Sequence, residues 1–79
     1  MILVFEQAGQ CAHCDMTKKY LDKKGVSYAT HTIEEPHRQF AMSAGLTAAP
    51  IVMQVKPGEA AKIHAGYRRD LLAEYVQAE

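Results

Sequence analysis

Two cysteines stand three positions apart in the segment Cys11-Ala12-His13-Cys14. Two intervening residues let one sulfur reach the other within a single helical turn. The pair can therefore cycle between dithiol and disulfide, or hold a metal ion between them. The segment lies where an apolar run gives way to a helical pattern, and redox chemistry needs that location. The attacking species is a thiolate. The free amides and positive end of a helix N-terminus favour an anion, so Cys11 is expected to give up its proton the more easily. Cys14 falls on the apolar stripe of the helix and is expected to be less exposed. These positions assign the roles: Cys11 attacks a disulfide, a mixed disulfide forms, and Cys14 resolves it.

His13 is one residue from each cysteine. Protonated, it would further stabilise a Cys11 thiolate; otherwise it is a solvent-facing side chain. A zinc site is the competing use of the cysteines, with His31 and His37 as the other two ligands. The sixteen residues between Cys14 and His31 exceed a typical finger spacing. That arrangement would also put a ligand on a strand expected to be half buried, so the histidines are expected at the surface and no metal site is assigned.

The elements that position the pair follow from periodicity. Met1 to Phe5 is almost continuously apolar, which predicts a strand buried on both faces. Gln7 to Gln10 is a loop, and a helix follows from about Ala12 to Lys24. Cys14, Thr17 and Leu21 share one stripe of it, flanked by Met16 and Tyr20, and Gly25 stops it. Val26 to Ile33 alternates and predicts a second strand, parallel to the first through the helical crossover. Pro36 suits the first turn of a second helix, which carries Phe40 and Met42 and ends at Gly45. Pro50 to Val55 is a third strand opened by proline. Lys56 to Glu59 is a turn, and Ala61 to Ala65 returns antiparallel as a fourth strand. Arg68 to Gln77 is a last helix with Leu71, Leu72, Tyr75 and Val76 inward.

Seventy-nine residues leave room for one domain, spanning 1–79. Lysines and arginines balance aspartates and glutamates at nine each, so no net field draws the chain to nucleic acid or to an anionic membrane. Lys18, Lys19, Lys23 and Lys24 read as a solvated helix face. Ile2 to Phe5 is too short for a membrane span or the core of a secretion signal. A cytoplasmic location is the default. Two cysteines cannot build a multi-bridge secreted scaffold.

The order β-α-β-α-β-β-α is that of a minimal thioredoxin fold: α/β, with a four-stranded mixed sheet flanked by three helices. The strand-CxxC-helix opening and Ala49-Pro50-Ile51-Val52 resemble glutaredoxins. Ala65-Gly66-Tyr67-Arg68, followed by Asp70-Leu71, carries the resemblance into the last helix. In that family the proline opening the third strand follows a cis bond and stands beside the cysteines. The resemblance puts that role on Pro50, with the Ala49 backbone pairing with an extended substrate segment. It implies partner contacts from Ala12, His13, Ala49, Pro50, Gly66, Tyr67 and Arg68. No bound cofactor is implied beyond the redox-active disulfide.

Glutathione-using members usually carry Gly-Gly before the last helix. The segment from His64 to Asp70 is instead similar to the Ser-Gly-Phe-Arg-Pro-Asp of NrdH-redoxins. Those proteins take electrons from thioredoxin reductase and deliver them to ribonucleotide reductase. Gly66, Arg68 and Asp70 match, and Tyr67 stands for Phe, where its bulk should crowd a glutathione backbone. His64 departs from the usual Trp and Arg69 from the usual Pro, and the loop before Cys11 lacks the customary Lys-Pro. The expected protein is a monomeric carrier reduced by thioredoxin reductase. Its acceptor is ribonucleotide reductase or another disulfide protein. A glutathione-dependent glutaredoxin is the first alternative, and a small zinc- or cluster-binding module with Cys11 and Cys14 as ligands is the second.

Overall fold

The computed structural model describes residues 1–46 and 48–79, with His37 described by its backbone alone. Seven elements follow one another: β1 (Ile2–Glu6), α1 (Ala12–Lys23), β2 (Tyr28–Thr32), α2 (His37–Ser43), β3 (Ile51–Gln54), β4 (Lys62–Ala65) and α3 (Arg69–Ala78). The strands form one sheet in the order β2-β1-β3-β4. β1 runs parallel to β2, with Phe5 opposite His31. β3 is antiparallel to β1 and to β4, which places Ile51 beside both Phe5 and Ala65. This is the α/β thioredoxin-like arrangement that the element order predicts.

The registers sort the strand residues into two faces. Ile2, Val4 and Val52 point to one side, where Leu21 of α1 and Leu72 and Tyr75 of α3 complete a buried cluster. On α1 the buried residues are Cys14, Thr17 and Leu21, the stripe read from the sequence. Tyr20 packs against the cluster from its edge, whereas Met16 is exposed.

The opposite face differs from expectation. β1 is not buried on both sides: Leu3 and Phe5 are only half-buried, because the element beside that face is the seven-residue α2. Phe40 and Met42 of α2 are 77 % and 54 % exposed, and Ile63 of β4 is 46 % exposed. β2 is an edge strand whose Thr30, His31 and Thr32 face solvent, so it is less buried than its alternating pattern suggests. It also starts two residues late, since Val26 still donates its N–H to Leu21 in the exit turn of α1. Gly25, at φ +70°, makes that turn possible.

Other boundaries shift by a residue or so. Pro36 precedes α2 as its cap instead of opening it, Pro50 precedes β3, and β4 begins at Lys62. Arg68 is the cap of α3 and not its first residue. Lys19, Lys23 and Lys24 are exposed, but Lys18 reaches back to β1 and pairs with Glu6 at 2.6 Å. No helix among the described residues is long and apolar enough to cross a membrane.

Candidate active site

Cys11 is the N-cap of α1. Its backbone is extended (φ −146°, ψ 98°), its carbonyl accepts the Asp15 N–H, and its Sγ accepts the N–H of Cys14 at 3.2 Å. The helix start needs an acceptor at this position, because the first amides of a helix have no partner within it. Here a sulfur fills that place. The same amide, and the positive end of the helix, would hold negative charge on that sulfur once the pair is reduced. Cys14 sits one turn on, with its sulfur bonded to Cys11 and the two Cα atoms 5.2 Å apart. Cys14 is 1 % exposed and Cys11 half-buried, so only one of the two sulfurs can be approached. Ala12 and His13 between them are exposed, and the His13 carbonyl accepts the Thr17 hydroxyl at 2.8 Å.

The sheet brings two further segments to the same end. β1 finishes beside the start of β3, where the Ala49–Pro50 bond is cis, and Pro50 is buried. β4 finishes beside the same point, and the Gly66 N–H donates to the Pro50 carbonyl at 2.7 Å. Gly66 is at φ +83°, a region disfavoured for side-chain-bearing residues. A Cβ there would lie 3.5 Å from the Ala48 side chain. The turn that follows presents Arg68, exposed and doubly bonded to the Asp70 carboxylate at 3.2 and 3.0 Å. That pair holds the Asp70 carboxyl below its usual range. Tyr67 is half-buried and leans on the core cluster, so it is less available to a partner than a surface residue would be.

His64, for which the sequence raises no expectation of burial, lies inside the fold. It is 6 % exposed, with Nδ1 3.0 Å from the Tyr75 hydroxyl. Its Nε2 is buried without a hydrogen-bond partner. Gln54 is likewise buried, its amide donating to the Tyr75 carbonyl at 2.9 Å. No sequence pattern announces either residue, because their partners lie 11 and 21 positions away. Of the histidines in the zinc alternative, His31 is exposed on β2 and stacks on Phe5 with ring centroids 5.5 Å apart. The His37 side chain lies outside the described residues. Among the described residues no three acidic, histidine or cysteine side chains converge to hold a metal.

Burial depresses the His64 imidazole below the usual histidine value, and the Arg68 charge adds to the effect. In the unfolded chain the ring titrates near pH 6.5. Below that pH the unfolded state binds more protons than the folded one, so stability falls as pH falls. The contribution is whole above about pH 6.5 and is lost progressively beneath it. The unfolding temperature should therefore drop between about pH 7 and about pH 5, and His64→Phe should flatten that slope. A slope unchanged in the variant would assign the acid sensitivity to other groups. Asp70 and Glu79, both depressed, would contribute only at lower pH.

Residues 2–53 match the glutaredoxin family. No curated protein matches the chain. The match takes in the cysteine pair, α1, α2, the cis proline and most of β3, and stops short of β4 and α3. A helix-capping CxxC pair on this fold is the redox group of a thiol–disulfide oxidoreductase. With more than half of its residues matched, the chain belongs to the glutaredoxin family.

Proposed function

We propose that this protein is an NrdH-type redoxin: a cytoplasmic, monomeric electron carrier, folded as one domain over 1–79. It takes electrons from thioredoxin reductase and gives them to ribonucleotide reductase or another disulfide protein. The observation that carries this reading is the turn Gly66-Tyr67-Arg68 bonded to Pro50. Where glutathione-using relatives place a second glycine, a bulky Tyr67 half fills the space. Arg68 is committed to Asp70 and adds no acidic group for the amine of a tripeptide.

In the forward step the Cys11 thiolate attacks one sulfur of the substrate disulfide. That bond breaks, and the departing thiolate takes a proton from water. Ala49 offers its backbone to the extended segment around the substrate sulfur, and Ala12, His13, Pro50 and the Gly66–Arg68 turn surround it. Cys14, deprotonated, then attacks the Cys11 sulfur and expels the second substrate thiol. Two electrons pass to the substrate and the Cys11–Cys14 disulfide is left, which the reductase restores to the dithiol.

Two coupled assays of NADPH oxidation test the assignment of the electron source. Thioredoxin reductase should turn the oxidised protein over faster than glutathione with glutathione reductase, by about tenfold or more. Efficient turnover with glutathione alone would make the protein a glutathione-dependent glutaredoxin instead.

His13 provides a finer test. A cation between the cysteines would stabilise the Cys11 thiolate, hence the reduced form, and make the protein the stronger oxidant. His13→Gln should then shift the reduction potential to more negative values. For this two-electron couple about 1.4 kcal/mol corresponds to about 30 mV, and screening at an exposed site keeps the shift within that order. Equal potentials for the two forms, titrated against a dithiothreitol buffer at one pH, would leave His13 a solvent-facing side chain.

A further inference from the structure

One buried titratable side chain lies beside the partner-binding turn and has no part in thiol exchange. His64 occupies the inner face of β4, opposite Val52 in the sheet register. Its ring leans on Tyr75 of α3, with centroids 5.3 Å apart, and Nδ1 meets the Tyr75 hydroxyl at 3.0 Å. Nε2 is enclosed and unpartnered. Buried polar atoms are almost always paired, and an exception in a redox protein calls for a use. Two residues on, Gly66 gives its N–H to the Pro50 carbonyl. The chain between the unpartnered nitrogen and the partner-binding proline is therefore three residues and one hydrogen bond long.

The groups that act on the ring can be named. Burial opposes the cation most, and the Arg68 guanidinium opposes it next. Asp70, at the start of α3, favours it. The Gly66 backbone favours it too, without closing a hydrogen bond to Nε2. Tyr75 presents a hydroxyl kept neutral first by burial and then by the Glu74 charge, both of which raise its pKa. On β3, Val52 and Gln54 are uncharged, and Gln54 is engaged with the Tyr75 carbonyl. On the same side of the sheet α1 buries Thr17 and Leu21, which do not titrate, and Cys14, which can do so only as a thiol.

In the neutral ring one nitrogen is a donor and the other an acceptor; in the cation both are donors. The hydroxyl of Tyr75 can accept one of the two. The other is enclosed with no hydrogen-bond partner, and the part of Gly66 that can accept from it is the carbonyl, since the Gly66 N–H is a donor already given to Pro50. We propose that His64 is a proton-sensitive positioning residue for partner binding: neutral, it leaves the Gly66 turn docked on Pro50; protonated, it pulls the Gly66 carbonyl toward the enclosed Nε2, and the turning of that residue draws its N–H off Pro50. The proposal rests on the redoxin reading for its substrate, a partner disulfide lying against Pro50. It predicts a carrier that keeps its chemistry but loses grip on partners in mild acid.

The test separates grip from chemistry. The reduced protein is mixed with a synthetic cyclic peptide disulfide in single-turnover experiments from about pH 7.5 to about pH 5.5. The maximal rate follows the Cys11 thiolate in every form of the protein. The half-saturating peptide concentration should rise in the wild type by roughly fivefold as pH falls, the loss of one hydrogen bond's worth of binding. In His64→Phe, which keeps the ring on Tyr75 but cannot titrate, it should stay flat. His64→Gln should also be flat and serves if the phenylalanine variant does not fold. The same rise in wild type and variants would overturn the proposal.

A readout independent of activity uses the labelled wild-type protein. The Gly66 amide resonance should move with pH on the same midpoint as the His64 ring. A Gly66 amide that stays fixed while His64 titrates would sink the coupling. Peptide left unreduced at every pH would instead count against the redoxin reading, with the Gly66 titration still deciding the role of His64.

Discussion

Cys11→Ser is expected to abolish disulfide reduction, and Cys14→Ser to stop the reaction at a mixed disulfide with the substrate. The two substitutions are chemically identical, so any difference between them comes from position. Cys11 is half-buried and caps α1, with the Cys14 amide 3.2 Å from its sulfur. Cys14 is 1 % exposed and lies on the inward stripe with Thr17 and Leu21. A substrate sulfur can reach the first and not the second. The capping amide and the helix end contribute roughly 0.3–1 kcal/mol each to an anion at Cys11. A serine hydroxyl ionises too weakly near neutrality to replace a thiolate, so activity should fall to background in the first variant. In the second, Cys11 still attacks, but nothing inside the protein displaces the bound partner. The covalent adduct should be visible by mass and released by dithiothreitol. Alkylation of the reduced wild type at mildly acidic pH, followed by peptide mapping, tests the same asymmetry. Faster labelling of Cys14 than of Cys11 would reverse the assignment.

The parts legible in the sequence are those whose signal is local. The apolar run before the cysteines, the spacing of Cys14, Thr17 and Leu21, and the stop at Gly25 each lie within one element. The helix stripe and its stop appear in the fold as read, and the strand lies where it was read but is fully buried on one face only. The antiparallel return of β4 on β3 is also local, since a single turn separates them. What the sequence hid depends on partners far along the chain. His64 looks like any polar residue on an alternating strand, and only Tyr75, a turn and half a helix later, makes its burial tolerable. Gln54 is buried because α3 returns over β3 and offers the Tyr75 carbonyl. The openness of the second sheet face is hidden for the converse reason. Phe40 and Ile63 look like core residues by type, and only the shortness of α2 leaves them in water. The turn at Gly66 lies between these cases: its glycine was visible, but its bond to Pro50 closes only when the sheet is assembled.

Leu72→Ala is expected to cost about 2–5 kcal/mol of folding free energy. Leu72 is fully buried in the core cluster, where α3 meets the strand residues Ile2, Val4 and Val52. Removing its isobutyl group loses the transfer free energy of the side chain. It also leaves a cavity that neighbours from three elements cannot all move to fill. A chain of this length has roughly 4–12 kcal/mol of stability in total, so the variant should sit close to unfolding at room temperature. The loss should reach the site as well. α3 begins one residue after Arg68, so its packing holds the turn from which Gly66 bonds Pro50. Slackening the helix should therefore raise the half-saturating concentration of a disulfide partner before the protein unfolds. Phe40→Ala removes a larger side chain and supplies the contrast. At 77 % exposure Phe40 buries little against its own fold, and its loss should change stability by no more than about 0.5 kcal/mol. Urea unfolding of the three forms at one pH measures both effects. A Leu72→Ala midpoint indistinguishable from that of the wild type would mean that α3 is not anchored through Leu72, and that the Gly66 turn is held by the sheet alone.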